Sequence, residues 1–268
     1  MLVKNCIKGC STGQIDGLSR EVLDRMLSKG ILVKIDHKLI SCEGRHNNPY
    51  LQPKAYKALI KAVEYRGKKL YINSCLRTVM QQYMLRCQYQ QGLCGITAAA
   101  HPGRSNHQSG LAIDIIDYAS WRPTLKRFGW KWIGAWDKWH FDYIYKGADL
   151  SRTQIREFQQ IWNENNPTNK LKVDGLWGRK TSIAVSNSPA GGFSSAGVLN
   201  RGDINKDVGR FQLMLRVALN LTSKELSADC KYGSQTTRAV IAFQKLKGLK
   251  QTGIADQETL NTLGFVMP

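Results

Sequence analysis

A chain of 268 residues is long enough for one to three domains and at least one substantial core. Its 42% hydrophobic and 22% charged residues read as globular, and no run approaches the roughly 18 consecutive apolar residues that a membrane span requires. The net charge of +19 points to an anionic partner, and the start, MLVKNCIKGCSTGQIDGLSR, lacks the apolar stretch of a secretory signal.

The charge is uneven. Residues 1–148 hold 23 basic and 10 acidic side chains, a net +13, against +6 in residues 149–268. Glu64 is the single acid between residues 51 and 100. Nucleic acid, anionic lipid and an anionic wall polymer would all suit such a surface, but no zinc-finger or RNP-like pattern argues for nucleic acid. The seven cysteines (Cys6, Cys10, Cys42, Cys75, Cys87, Cys94 and Cys230) form no CxxC pair. The expectation is mostly free thiols, with a disulfide or two in the first hundred residues as the alternative.

In chain order, IDGLSREVLDRMLSKG (15–30) has helical spacing and a closing glycine, and ILVKIDHKLI (31–40) alternates like a strand or hairpin. Pro53 to Tyr65 reads as an amphipathic helix, KKLYINSCLR as a strand running into a loop, and TVMQQYMLRCQYQQG as a helix ended by Gly92. GLAIDII and WHFDYIY read as strands. The first 148 residues are therefore expected to be α+β, with a mostly antiparallel sheet. Beyond Asp149 the pattern turns helical. SRTQIREFQQIWNENN with VDGLWGRKTSIAV, and DVGRFQLMLRVALN with ADCKYGSQTTRAVIAFQ, repeat each other loosely across a Gly/Ser/Asn-rich run at 187–205. The domains expected are an extension at 1–45, an α+β domain at 46–148, a partial repeat at 149–190, a linker at 191–206 and an all-α domain at 207–268.

In GLAIDII, Leu111, Ile113 and Ile115 fall on one strand face, leaving Ala112 and Asp114 on the other. His107 precedes this strand in a loop that can fold back beside Asp114. In WDKWHFDYIY the aromatic residues alternate with His140 and Asp142, so His140 is expected to face away from the aromatic side. Two histidines and one carboxylate with an open fourth position make a hydrolytic zinc arrangement. Asp137, three residues before His140, is the nearest general base. Among the other candidates, His37 and His46 are read as surface or structural residues, and His101 lies near the site in sequence without being read as a ligand. Trp130, Trp132, Trp136 and Trp139 are more readily core than groove, and Asp142 is read as a strand-end carboxylate.

PGRSNHQSGLAID together with DKWHFDY resembles the zinc D-alanyl-D-alanine peptidase family, which includes VanY-like carboxypeptidases and phage endolysins. The resemblance rests on Ser105, His107, Gly110, Ala112 and Asp114, followed by an acid before Trp139-His140. It implies zinc ligands His107, Asp114 and His140, with Asp137 as catalytic base. It also implies that Arg77, in Ser74-Cys75-Leu76-Arg77-Thr78, stabilises an oxyanion or holds a substrate carboxylate, and that Ser105 contacts substrate. Most carboxypeptidase members carry Glu where this chain has Asp137, which favours the L-alanyl-D-glutamate endopeptidase type over the carboxypeptidase.

DGLWGRKTSIAV and YGSQTTRAVIAFQKLKGLKQTGIADQETLNTLG resemble the peptidoglycan-binding type 1 domain, a three-helix module. Cys230 stands at that pattern's first glycine and strains the turn if φ there is positive. Together the resemblances imply a zinc-dependent peptidoglycan peptidase, partnered by stem peptide and glycan, with no nucleic-acid partner and no membrane span. It would act as a monomer at the bacterial wall after synthesis in the cytoplasm, released by a holin-type or other route. The rival reading is a wall-binding protein whose peptidase domain is degenerate.

Overall fold

The structure, a computed structural model, describes residues 1–42, 44, 46–193, 199–204 and 206–265. It divides into two compact units, residues 1–192 and 193–268. Part of the expected linker, residues 194–198 and 205, lies outside the described residues.

The first unit is α+β. Its helices are α1 (Asp16–Leu27), α2 (Pro53–Arg66), α3 (Val79–Gln90), α4 (Tyr118–Arg127), α5 (Leu150–Asn165) and α6 (Arg179–Asn187). Its strands are β1 (Val33–Lys34), β2 (Ile40–Cys42), β3 (Tyr50–Leu51), β4 (Leu70–Ser74), β5 (Ala112–Ile115), β6 (Trp130–Trp132) and β7 (His140–Tyr143). The main sheet runs β2-β4-β5-β7-β6, with β2 parallel to β4 and the remaining pairs antiparallel.

Local chemistry sets the helix ends. Pro53 opens α2, where its missing N–H costs nothing, and Gly67 closes it at φ +64°. Thr78 and Gln81 form a capping box at the start of α3. ILVKIDHKLI is not a hairpin: β1 pairs with β3 while β2 joins β4. The chain turns at His37, whose Nδ1 accepts from the Leu39 amide at 3.2 Å, and the two halves feed different sheets. The short strand Trp130–Trp132 carries too few residues for an alternation to show in the sequence.

One face of the sheet packs Ile72, Ile113, Ile115 and Phe141 against Leu59 and Val63 of α2 and Trp121 and Leu125 of α4. Asp114 lies between Ile113 and Ile115, so its side chain leaves the opposite face. Segments 1–45 and 149–190 belong to the same compact unit as this sheet. Helix α1 packs on α5, with Lys29 and Glu157 paired at 3.0 Å. The first residues pair with the end of α6, Val3 N donating to Ser188 O at 3.0 Å and Ala190 N to Met1 O at 2.8 Å. Cys10 and Cys94 form a disulfide, and the other five cysteines stay reduced.

The second unit is helical: α7 (Lys206–Leu219), α8 (Ser234–Leu246) and α9 (Gln257–Leu263) enclose Phe211, Leu215, Val240, Phe243 and Leu260. One side-chain staple recurs three times among the described residues. Gln159 accepts from the Gly175 amide and donates to Asp174 and Leu176 O. Gln212 accepts from the Cys230 amide and donates to Asp229 and Lys231 O. Gln244 accepts from the Gly253 amide and donates to Thr252 and Ile254 O. Each follows a buried phenylalanine, and each holds a loop residue in the left-handed region: Gly175, Cys230 and Gly253 have φ of 72°, 62° and 68°. Cys230 therefore carries a side chain where its two counterparts carry none.

Candidate metal centre

The sheet register assembles the site. Ser74 of β4 lies opposite Asp114 of β5, and Asp114 lies opposite His140 of β7, so three strands present one row of polar side chains. His107 arrives from outside the sheet, in the helical turn Asn106–Ser109 that precedes β5. Gly110 ends that turn at φ +63°, and a Cβ there would come within 3.2 Å of the Gln52 amide. Glycine thus lets the turn close tightly against β5.

His107 Nε2, His140 Nδ1 and Asp114 Oδ1 form a nearly equilateral triangle. His107 to His140 is 3.1 Å, His107 to Asp114 is 3.3 Å, and His140 to Asp114 is 3.2 Å. Bonds of about 2.0–2.1 Å at a tetrahedral ion place neighbouring donors about 3.3 Å apart, so the triangle fits a zinc-sized cation. The tautomers agree. His107 Nδ1 donates to the Cys75 carbonyl at 2.7 Å, and His140 Nε2 donates to Asp142 Oδ1 at 2.8 Å. Each ring, when neutral, therefore turns a lone pair toward the same point. Both histidines are buried.

The electrostatics follow from this crowding. Burial opposes ionisation of Asp114, but His107, His140 and Arg77 outweigh it and hold the carboxyl well below its usual range. Burial lowers His107. Burial also acts against His140, yet hydrogen bonds to Asp114 and Asp142 carry it up to about 9. Asp137 is raised, first by burial and then by the charge of Asp114.

Arg77 and Asp137 border the triangle. An Arg77 Nη2 lies 3.6 Å from Asp114 Oδ2, and the guanidinium donates to Gln82 Oε1 at 3.0 Å and to Ser74 Oγ at 3.4 Å. Asp137 sits in the turn Ala135–Asp137 with Oδ2 3.9 Å from His140 Nδ1, on the side open to solvent. Ser105 is the N-cap of the His107 turn and forms a capping box with Gln108. It also lines the cavity of about 610 Å³ that contains the triangle, Arg77 and Asp137.

Several contributors to this site were read differently in the sequence or escaped it. Asp142, read as a strand-end carboxylate, orients His140 and is itself held by Asn106. Trp130 is core, but Trp136 and Trp139 are 67% and 49% exposed and wall the cavity. The aromatic alternation running through β7 is only partly core, since Phe141 is buried while Tyr145, just beyond the strand, is exposed. Gln82 anchors Arg77 and reaches the Ala100 carbonyl at 2.8 Å. Gln154 of α5 accepts from Val79 N at 2.6 Å and donates to Gln108 O at 2.7 Å and Arg77 O at 3.3 Å. From the other side, Ser19 of α1 bonds the Thr78 hydroxyl at 2.8 Å. His101 contacts Arg86, His37 contacts Glu64 and His46 contacts Asp16, all outside the triangle.

Residues 50–131 match the family described as D-alanyl-D-alanine carboxypeptidase, and residues 205–263 match the family described as "Putative peptidoglycan binding domain". A "Probable N-acetylmuramoyl-L-alanine amidase" of Bacillus licheniformis is 34% identical over 132 residues, covering 45% of this chain and 37% of the relative. "Uncharacterized protein YbfG" of Bacillus subtilis (strain 168) is 33% identical over 141 residues, covering 45% of this chain and 18% of that protein. The matches thus span well under half the length of either relative. The first family match includes Arg77, His107 and Asp114, and the second falls within the helical second unit.

Proposed function

We propose that the protein is a zinc-dependent peptidase that hydrolyses a peptide bond in the stem peptide of peptidoglycan, with residues 207–268 holding it to the wall. The observation that carries this reading is the donor triangle of His107, Asp114 and His140, whose edges of 3.1–3.3 Å suit tetrahedral zinc. The two family matches supply the wall context.

When bound, zinc supplies Lewis acidity toward the scissile carbonyl and toward water. The protein's own groups do the rest. Asp137, on the solvent side of the triangle with a raised pKa, takes the proton from the attacking water and returns it to the departing amine. Arg77, fixed by Gln82 and Ser74, stabilises the negative charge that develops on the carbonyl oxygen. Ser105 contacts the substrate at the rim of the cavity, whose walls include Trp136 and Trp139.

The short arm of Asp137 favours an endopeptidase acting between L-Ala and D-Glu, with D-alanyl-D-alanine carboxypeptidase as the alternative. Mass spectrometry of products from purified peptidoglycan separates them: a new D-Glu amino terminus marks the first, loss of a terminal D-Ala the second. His140→Ala should abolish both zinc binding and wall lysis while the second unit stays folded. Undiminished lysis in that variant, or in the presence of a chelator, overturns the metal mechanism.

A further inference from the structure

We propose that the outer surface of α2 and α4 binds a phosphodiester polymer of the bacterial wall, of the poly(glycerol phosphate) kind. This rests on the wall-directed reading above. Helix α2 buries Ala55, Leu59, Ala62 and Val63 and turns Lys54, Lys57 and Lys61 outward, three and four residues apart and hence along one side of the helix. Lys68 and Lys69 extend this row past the helix end, and α4 adds Arg122, Lys126 and Arg127, all exposed.

The two helices form one surface. Arg127 donates to the Tyr65 hydroxyl at 3.1 Å, Arg66 donates to Ser120 Oγ at 2.9 Å, and the Arg66 guanidinium lies 4.3 Å from the centre of the Trp121 ring. The two acids at these helices, Glu64 (3.6 Å from His37) and Asp117 (accepting from Ser120), offset only part of this positive charge. Among the described residues, Lys54, Lys57, Lys61, Lys68 and Lys126 take part in no ion pair. A surface of one sign repels itself and weakens the fold unless a polyanion neutralises it. Lysines on flexible stems suit a flexible chain of phosphate charges better than a rigid planar ligand.

The placement separates this surface from the chemistry. Ile113 and Ile115 point toward α2 and α4, while Asp114 between them points to the metal centre on the other side of the sheet. A polymer held on the helices leaves the cavity open to stem peptide. Nucleic acid and anionic membranes share the charge, but neither is favoured by a chain whose second unit matches a peptidoglycan-binding family.

The test uses the full chain and the triple substitution Lys57→Glu, Lys61→Glu, Lys126→Glu, with circular dichroism confirming the fold. The probes are purified poly(glycerol phosphate), wall sacculi before and after hydrofluoric acid removal of phosphodiester polymers, duplex DNA, and vesicles of anionic phospholipid. The expected result is salt-sensitive binding of the unsubstituted protein to the polymer, weakened about tenfold or more by the triple substitution. Hydrolysis of soluble stem peptide and binding to stripped sacculi should be equal in the two proteins. Equal polymer binding by both, or binding to DNA or vesicles without binding to the polymer, overturns the proposal. The soluble peptide and stripped sacculi report separately on the peptidase and wall-binding reading, so its failure is distinguishable from failure of this surface.

Discussion

Gln154 holds the backbone carbonyl of Gln108 at 2.7 Å, although 46 residues separate them. Gln108 is the neighbour of His107, and the same Gln154 side chain accepts from Val79 and donates to the carbonyl of Arg77. One buried amide from α5 thus fixes both the turn that carries a metal donor and the turn that carries the arginine. Gln154→Leu should destabilise the first unit by about 2–4 kcal/mol, because it leaves a buried N–H and a buried carbonyl without partners. It should also weaken zinc binding about tenfold, as loss of supporting contacts does at metal centres. Urea unfolding and zinc titration calorimetry check the two effects. An unchanged zinc affinity would show that Gln154 supports the fold without positioning His107.

Asp142 governs the orientation of His140 through the 2.8 Å bond to Nε2. Asp142→Ala should lower zinc affinity about 10–100-fold while leaving all three donors in the chain. Competition with a chromogenic chelator measures this directly.

Proton linkage at His140 gives a prediction of opposite sign for the metal-free and metal-loaded protein. Its pKa rises from an ordinary 6.5 to about 9 in the metal-free fold. The stability it contributes is therefore full below pH 6.5 and disappears as pH climbs through about 9. His107 is lowered, so it is neutral in the fold; unfolded it is half protonated at pH 6.5, and losing that proton adds only about 0.4 kcal/mol of opposite sign just above that pH. The metal-free protein should melt at lower temperature at pH 9 than at pH 6.5. Zinc must displace the His140 proton, so its affinity should rise over the same interval. Thermal melts with and without zinc at the two pH values test both signs.

The Cys10–Cys94 bond joins positions 84 residues apart and anchors the chain just before segment 95–100, which lines the cavity. Cys94→Ser should cost about 2–5 kcal/mol. Thiol titration of the denatured, unreduced chain should return five thiols; seven would refute the bond.

Cys230 occupies φ +62° at a staple where Gly175 and Gly253 serve elsewhere. Cys230→Gly keeps the amide bond to Gln212 and removes the left-handed strain, against some added freedom in the unfolded chain. The net effect should be a gain of about 0.5–1 kcal/mol in the second unit. A raised unfolding temperature in calorimetry is the expected reading.

Much of this was legible in the residues themselves. Helical spacing and capping signals locate α1, α2, α3 and α5 to within a few residues, because local periodicity and end chemistry act within one turn. The loose repeat was visible too, since Phe158-Gln159 and Phe211-Gln212 recur with the same downstream pattern. The third staple, at Gln244, shows only when its loop is seen folded around it.

By itself, the sequence determined which side chains could form a metal centre: His107 and Asp114 share one short motif, and His140 and Asp137 share another. Tertiary structure alone decided that they meet, through a register that sets Ser74, Asp114 and His140 side by side on three strands. It alone recruited Ser19 and Gln154, drew the first residues onto α6, and turned Trp136 and Trp139 outward. The reason is one of range. Propensity and periodicity are properties of neighbouring residues, whereas strand register and buried hydrogen bonds join groups tens of residues apart whose pairing is fixed only when the whole core closes.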